Sequence, residues 1–507
     1  MSTRIGTVFG QELRQARRNL WVILATAVLG LFALALALFG AGQGSGLKVD
    51  VLTLTAVSLA TLSVYLIPLI ALLMSYDSIS GEVERGSLAL TFATPVRRWE
   101  VFVGKFLAQT VAVCVAIGAG ARHESPEHSG WSHFLEHMVF KGAGDMSARD
   151  IVERIEAGGG SINASTGYER TVFEVRAMAD GLETALQVIA DLIFHPVFEP
   201  EEVEREKDVV AQEIAEAFDT PDDHVFEMAQ AQAFHDQPLG RAILGQVETL
   251  APIDREALKQ FRADMYRPER IVVSVSGAVD EAQLLTLVER GFGEGVARPT
   301  TPVSAGLFNG GEARLARRIE QSNLVFLLPG LSHTDPRRPA LRLGVEILGG
   351  GMASRLFQTA REERGLAYAV DAYHESYADC GLLGLYAGSA ADRAAELAQV
   401  CGDTIRALVD DGPTQRELDR ARAVARAGIR MADESPVARA GRLATQSLIF
   451  GKPVGSDQMV QEVMCQERAD VQSALAACLE PRLAATAVLG PRAGLSAGLL
   501  FERALTG

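Results

Sequence analysis

Residues 130–142 read GWSHFLEHMVFKG, and their spacing predicts a short helix that carries two imidazoles on one face. His133 and His137 are four residues apart, so on a helix they stand one turn apart on the same side. Glu136 lies on that side as well, whereas the apolar residues between them point away and anchor the helix in a core. Two imidazoles at this spacing can bind one tetrahedral Zn²⁺.

A histidine pair alone does not establish a metal site. The same spacing suits a solvated helix face or a hydrogen-bonded pair inside a core. A catalytic zinc site needs three protein ligands and one open position, so a third ligand on another element would favour the metal.

A second predicted helix offers that ligand. Residues 199–214 read EPEEVEREKDVVAQEI, in which Pro200 and the acidic residues after it favour a helix start. Val and Ile residues give the segment an approximate apolar stripe at helical spacing. Glu206 and Glu213 are seven residues apart and therefore share one face, two turns apart.

The two segments resemble one known family. Residues 132–142 (SHFLEHMVFKG) and 204–216 (EREKDVVAQEIAE) are similar to the M16 peptidases, the pitrilysin, insulinase and mitochondrial-processing-peptidase-like family. The pattern H-x-x-E-H is the inverted form of the zinc-protease signature H-E-x-x-H. The resemblance implies bound Zn²⁺ and five residues around it: His133, His137 and Glu213 as ligands, Glu136 as general base and Glu206 as a supporting carboxylate.

The same resemblance implies substrate-binding residues. Residues 161–178 predict strand, turn and strand, and in the family Asn163 and Ala164 would lie where extended substrate pairs beside the metal, although Asn163 also suits a plain turn. Arg361 and Tyr368 would reach the substrate backbone and the developing oxyanion across a closed chamber. Alternatively, Arg361 pairs with a neighbouring glutamate and Tyr368 belongs to a core.

The order of predicted elements recurs, which favours two homologous halves. The expected fold is α/β (α+β), with each half a mixed sheet packed with helices. We expect a zinc-bearing half at residues 111–292, a Gly/Pro/Thr-rich linker at 293–312 and a second half at 313–507. The first helix of the second half contains no histidine, so this half is expected to be catalytically silent, with one zinc per chain.

The elements expected on either side of the linker are a helix at 150–156, a helix at 182–193, a strand at 270–277, a strand at 324–328, a helix at 338–348 and a strand pair within 366–385.

Residues 1–110 are expected to form a membrane segment. The uncharged runs 20–40 and 51–76 are long enough to span a bilayer, and the basic residues flanking them place both outer ends in the cytoplasm. Residues 76–109 resemble a cytoplasmic loop of NosY-like ABC-2-type permeases. Residues 106–121 suit either a half-buried strand or the start of a third span, and a third span would export the peptidase.

The charge of the chain argues against nucleic-acid binding, and its cysteines argue against a disulfide framework. The 507-residue chain has a net charge of −16, and residues 1–120 are net basic, so the remainder is strongly acidic. An acidic surface disfavours nucleic-acid binding. The five scattered cysteines contain no C-x-x-C and predict buried thiols rather than disulfides or zinc ligands.

The resulting hypothesis is a membrane-tethered zinc metalloendopeptidase that hydrolyses peptides or unfolded segments in a closed chamber. Its expected location is a bacterial-type inner membrane with the peptidase on the cytoplasmic side, and a homodimer is plausible from the family. Two alternatives stay open: a non-catalytic M16-like assembly subunit and a permease fragment of an ABC transporter.

Overall fold

The computed structural model describes residues 110–293 and 303–506, which form two halves, each built on its own sheet. The sheet of the first half has the strand order β4-β5-β1-β6 and is antiparallel throughout. The sheet of the second half has the order β7-β11-β8-β10-β9, in which only β7 and β11 are parallel. The prediction of two α/β halves is confirmed, but a mixed sheet occurs only in the second half.

The strands of the first half are β1 (Thr110–Ile117), β2 (Gly142–Ala143), β3 (Met146–Ser147), β4 (Ser161–Thr166), β5 (Thr171–Met178) and β6 (Ile271–Gly277). Its helices are α1 (Trp131–Val139), α2 (Ala148–Glu156), α3 (Leu182–Phe194), α4 (Pro200–Asp219), α5 (Pro221–Ala233), α6 (Val247–Leu250), α7 (Arg255–Met265) and α8 (Glu281–Phe292).

The strands of the second half are β7 (Gly311–Ala316), β8 (Gln321–Pro329), β9 (Ala369–Ser376), β10 (Gly381–Ala390) and β11 (Ala485–Gly490). Its helices are α9 (Arg338–Gly349), α10 (Ala394–Asp411), α11 (Gln415–Glu434), α12 (Pro436–Phe450), α13 (Ser456–Met464), α14 (Arg468–Cys478) and α15 (Ala497–Thr506), with a π-helical turn at Phe357–Glu363.

Strand β1 is buried on both faces of its sheet. Its larger residues, such as Val113 and Val115, pack into the core that holds α1. Its smaller residues, such as Ala112 and Ala116, face the opposite side. The prediction of a half-buried strand is therefore wrong, because the alternation in residues 110–117 is between large and small side chains rather than between apolar and polar ones.

Each half covers the sheet of the other half with one helix. In the second half, α12 packs on β1 and β6, where Ala440 and Ala444 meet the small face of β1. In the first half, α5 packs on β8 and β11. Both helices begin with a proline, and a single residue separates each from a preceding 20-residue helix. Small side chains at these contacts let the helix backbone approach the sheet closely.

The second sheet has one more strand than the first, because no described strand of the first sheet corresponds to the edge strand β7. Strand β6 occupies the place equivalent to β11, and the described residues leave its outer edge unpaired. Strand β7 begins at Gly311, inside the range predicted as linker, while residues 294–302 of that range lie outside the described residues.

Several predictions outside the site can be compared with the structure. Residues 110–117 form a strand, so the alternative of a third membrane helix through them is wrong. Within the described ranges, no helix is long and apolar enough to cross a membrane, and the predicted spans at 20–40 and 51–76 lie outside those ranges. The five cysteines are free, as expected, but Cys465 is exposed and Cys380 is half-buried.

A buried arginine connects the two halves. Arg122 is only 4% exposed and lies 2.6 Å from a carboxylate oxygen of Glu169 in the first half and 2.6 Å from one of Asp379 in the second. Its guanidinium also donates to the backbone oxygen of Ser304. A guanidinium withdrawn from water needs such partners, so these contacts hold the two halves in one relative position.

Replacing Arg122 with Met should lower the free energy of unfolding by about 3 kcal/mol, because two partly buried carboxylates lose their cation. Chemical denaturation followed by circular dichroism measures the change. The exposed pair Arg149–Glu153 provides the control, since Arg149→Met should cost less than about 0.5 kcal/mol. If both variants lost the same free energy of unfolding, Arg122 would not be the residue that holds the two halves together.

Candidate metal centre

The start of helix α1 is fixed two residues before His133. Gly130 has φ +91°, and a Cβ there would lie 2.5 Å from the backbone oxygen of Leu244, so the position requires glycine. The buried carboxylate of Glu124 accepts hydrogen bonds from the backbone N–H groups of Gly130 (2.9 Å) and Ser132 (2.7 Å). These bonds satisfy free N–H groups at the helix start. Burial nevertheless raises the pKa of the Glu124 carboxyl to about 7.

The structure brings three of the candidate side chains together from two helices: His133 and His137 on α1 and Glu213 on α4. On α4, Glu213 Oε2 lies 3.8 Å from His133 Nε2 and 3.7 Å from His137 Nε2. Ligand atoms about 2.1 Å from a tetrahedral zinc ion are about 3.4 Å apart, so this set fits the ion with small adjustments. Among the described residues, this is the one group of three His, Cys, Asp or Glu side chains with metal-binding geometry.

Glu206 orients the second histidine. Its Oε1 lies 2.8 Å from His137 Nδ1, and its Oε2 lies 2.6 Å from the ammonium nitrogen of Lys141. Burial would raise the pKa of Glu206, but these two hydrogen bonds outweigh burial and lower it, so the carboxylate stays ionised. An Nδ1–H that donates to a carboxylate leaves the Nε2 lone pair of His137 free on the side of Glu213.

The protonation states of His133 and Glu136 also suit a metal site. Burial, and then the neighbouring His137, lower the pKa of His133 to about 4, so its imidazole is neutral near pH 7. Burial raises the pKa of Glu136, against the opposing effects of Thr166 and His137. Its Oε2 is buried and has no hydrogen-bond partner in the described structure. A carboxyl group with a raised pKa is a stronger base than an ordinary carboxylate and is suited to accepting a proton.

A cleft of about 390 Å³ opens beside His137. Glu136, Asn163 and Ala164 line it, so the structure brings the predicted residues of β4 to the histidine helix. Strand β4 is an edge strand, and its outer side is unpaired among the described residues. Such an edge can accept an extended peptide through backbone hydrogen bonds.

Arg361 and Tyr368 are not part of this cleft. The lining residues all belong to the first half, and neither second-half residue is among them. The Arg361 guanidinium lies 4.8 Å from the ring centroid of Phe357, and no ion pair joins it to a neighbouring glutamate in the described structure. Tyr368 is 61% exposed, which rules out the alternative that it belongs to a core.

Sequence reasoning missed three residues that support the site. Lys141 follows His137 by four residues, a spacing that places it near the same carboxylate. Thr166 ends β4 next to Glu136, and its hydroxyl lies 3.5 Å from the backbone oxygen of Ser132. Glu124 precedes Gly130 in a loop and shows no periodic signal that would have identified it.

Comparison with known proteins identifies the family. The sequence profile "Insulinase (Peptidase family M16)" matches residues 104–247, and "Peptidase M16 inactive domain" matches residues 252–424. The uncharacterized zinc protease YmxG of Bacillus subtilis is 36% identical over 356 residues, 70% of this chain and 87% of that protein. The chain belongs to peptidase family M16. An uncharacterized zinc protease of Rickettsia bellii is 34% identical over 383 residues, 75% of this chain and 92% of that protein.

Solved M16 structures share the fold. A peptidase M16 inactive domain from Pseudomonas fluorescens and a protease from Helicobacter pylori each superpose with a TM-score of 0.70 at 20% identity. Each alignment covers 76% of this chain, with 93% of the first structure and 94% of the second. The zinc cofactor is confirmed together with the family, because the M16 relatives are zinc proteases and the His-His-Glu group fits the ion.

A third profile, "ABC-2 family transporter protein", matches residues 7–132 and supports a membrane association of the N-terminal part. Its last residues overlap the peptidase profile. In the structure, residues 110–117 form β1 and α1 begins at Trp131, so the overlapping residues belong to the M16 fold.

Replacing Glu206 with Gln should weaken zinc binding by about 10–100-fold, because His137 loses its charged partner. Competition with a chromophoric chelator measures the affinity. Glu216→Gln on the exposed side of α4 removes the same charge without touching the site and should leave the affinity unchanged. Equal affinities for zinc in the two variants would show that Glu206 does not support the metal.

Proposed function

We propose that the chain is a zinc-dependent endopeptidase with His133, His137 and Glu213 as its metal ligands and Glu136 as its general base. The convergence of Glu213 on the histidine pair from a separate helix carries this proposal. The complete ligand set, with a buried carboxyl beside it, also argues against the alternative of a non-catalytic assembly subunit, because such relatives typically lose a ligand or the base.

Four side chains divide the catalytic work. A zinc ion held by His133, His137 and Glu213 would supply Lewis-acid chemistry for the scissile carbonyl and the attacking water. Glu136 takes the proton of the attacking water and delivers it to the leaving amine, as its raised pKa and unpaired Oε2 allow. Glu206 keeps His137 in the tautomer that presents Nε2, and His133 remains neutral because it is buried.

The edge of β4 is the proposed substrate platform. An extended peptide that pairs with Asn163 and Ala164 would place its backbone in the cleft beside Glu136. Only short or unfolded segments can add to an edge in this way. In this proposal a closed chamber excludes folded proteins, and a homodimer is the expected assembly.

Arg361 and Tyr368 are proposed to contact the substrate backbone and the developing oxyanion. Since neither lines the cleft in this structure, they would act only after a rearrangement of the chain or from a second copy. The exposure of Tyr368 is consistent with such a role.

The proposed domain division is a membrane segment at residues 1–110, a zinc-bearing half at 111–292, a linker at 293–312 and a second half at 313–507. The match of residues 7–132 to a transporter profile supports tethering of the peptidase to a membrane. In this proposal the catalytic part lies in the cytoplasm. A permease role would in addition need further membrane spans and an ATPase partner.

Glu136→Gln should reduce kcat/KM for an unstructured peptide by about 100- to 10,000-fold, because an amide cannot accept the proton. Zinc content should remain that of the wild type, which separates loss of the base from loss of the metal. Glu289→Gln, an exposed change on α8, serves as the control. Wild-type cleavage rates in Glu136→Gln would refute the mechanism.

Membrane tethering predicts a specific accessibility pattern. Protease added to intact bacterial spheroplasts should leave the C-terminal part uncut, whereas protease added to inverted membrane vesicles should degrade it. Immunoblotting against the C-terminus reads the outcome. Degradation in intact spheroplasts would place the peptidase on the outer side.

A further inference from the structure

A second cavity, of about 370 Å³, lies between the two halves. The β4–β5 hairpin of the first half lines one side with Thr166 and Arg170. The second half lines the other side with His333, Arg338 and His374. One arginine from each half therefore lines a single partly open cavity, together with two histidines whose pKa values are lowered mainly by burial.

The arginines of this cavity lack anionic partners. Among the described residues, neither Arg170 nor Arg338 forms an ion pair with a carboxylate, and the Nη1 of Arg338 contacts only the ring and backbone oxygen of His333, both at 3.3 Å. Glu169, also in the wall, is already paired with Arg122. A partly desolvated guanidinium without a counterion is costly, so the arrangement favours a bound anion.

Two acidic residues line the cavity, and since Glu169 is already paired with Arg122, Glu375 is the one that opposes the charge of Arg170 and Arg338. Glu375 on β9 lines the cavity and interacts electrostatically with Arg170 without reaching ion-pair distance. The two arginines outnumber it, and His333 and His374 offer further polar contacts. The remaining positive charge is suited to a single carboxylate rather than to a multiply charged anion.

The cavity continues the proposed substrate platform. Along β4, residues Ser161 to Ala164 line the cleft beside His137, and Ser165 and Thr166 line the second cavity. A peptide that pairs with the whole of β4 would extend about 17–20 Å, at about 3.3 Å per residue, and would pass from one space into the other.

We propose that this cavity is a subsite for a carboxylate of the peptide substrate, held by Arg170 and Arg338. The inference rests on the proposed peptidase function and adds a substrate class to it: extended peptides with an acidic group several residues to one side of the scissile bond. A peptide can supply that carboxylate from an Asp or Glu side chain or from its C-terminus.

The test compares matched peptides that carry Glu or Gln at one position, scanned along both sides of the scissile bond. For the full-length wild type, kcat/KM should favour Glu about tenfold at one position, or at two positions two residues apart on the same side. A second arm compares free and amidated C-termini in peptides of decreasing length, which distinguishes the terminal carboxylate from a side chain.

Four variants test whether the cavity causes the preference for Glu. Arg338→Gln should bring the Glu/Gln ratio close to one. Glu375→Gln should raise the ratio above the wild-type value, because it removes the carboxylate that interacts with Arg170. Arg318→Gln, an exposed change of the same charge on the second half, should leave the ratio unchanged. A wild-type ratio in both Arg338→Gln and Arg170→Gln, with both variants folded, would overturn the subsite.

A binding measurement separates this inference from the proposed function. Fluorescence anisotropy with labelled peptides and the Glu136→Gln chain should show the same preference for the acidic peptide without any hydrolysis. If the wild type with zinc cleaves no peptide but this preference persists, the peptidase proposal fails and the subsite stands. Equal binding of the Glu and Gln peptides at every position would end the subsite proposal.

Discussion

The packing of α4 against α1 is the contact on which the site depends. Val203 and Val210 on α4 are buried, and Glu206 and Glu213 follow each of them by three residues, so the stripe that faces α1 alternates apolar anchors with carboxylates. The anchors set the distance between the helices, and that distance brings Glu213 within 3.8 Å of both imidazoles. Glu206 is withdrawn from water in the same contact, and His137 and Lys141 compensate its charge.

Local sequence patterns sufficed to predict the histidine helix, the acidic helix and most strands, because each has a periodicity or a capping signal of its own. They did not predict β7, which begins in the expected linker, or β11, which lies where only helices were expected. Spacing predicted which side chains share a helix face, whereas the choice of Glu213 as third ligand came from the resemblance to the M16 family. The positions of Arg361 and Tyr368 relative to the cleft could not be predicted locally, because they depend on how the second half packs against the first. The exposure of Cys465 likewise depends on which face α13 and the turn after it present to the core.

Residues 110–117 show why the junction with the transporter-like segment was ambiguous. A strand buried on both faces needs uninterrupted apolar residues, and so does a membrane helix, so composition alone does not separate the two. The distinguishing feature is the alternation of large and small side chains, which matches a core on one face and a closely packed helix on the other. That second face is covered by α12, a helix roughly 300 residues later in the chain, which no local pattern reveals.

Because each sheet is covered by a helix of the other half, one face of the first sheet stays uncovered while the rest of the chain is being synthesised. Alanines 112 and 116 are made long before Ala440 and Ala444, which cover them, so this face of the first sheet is exposed for about 15–65 s at 5–20 residues per second. Autonomous co-translational folding of the first half would leave an apolar surface open throughout that interval. Such a nascent chain is a natural client for chaperones that bind at the exit tunnel, and truncation before α12 would yield an aggregation-prone fragment rather than a smaller enzyme.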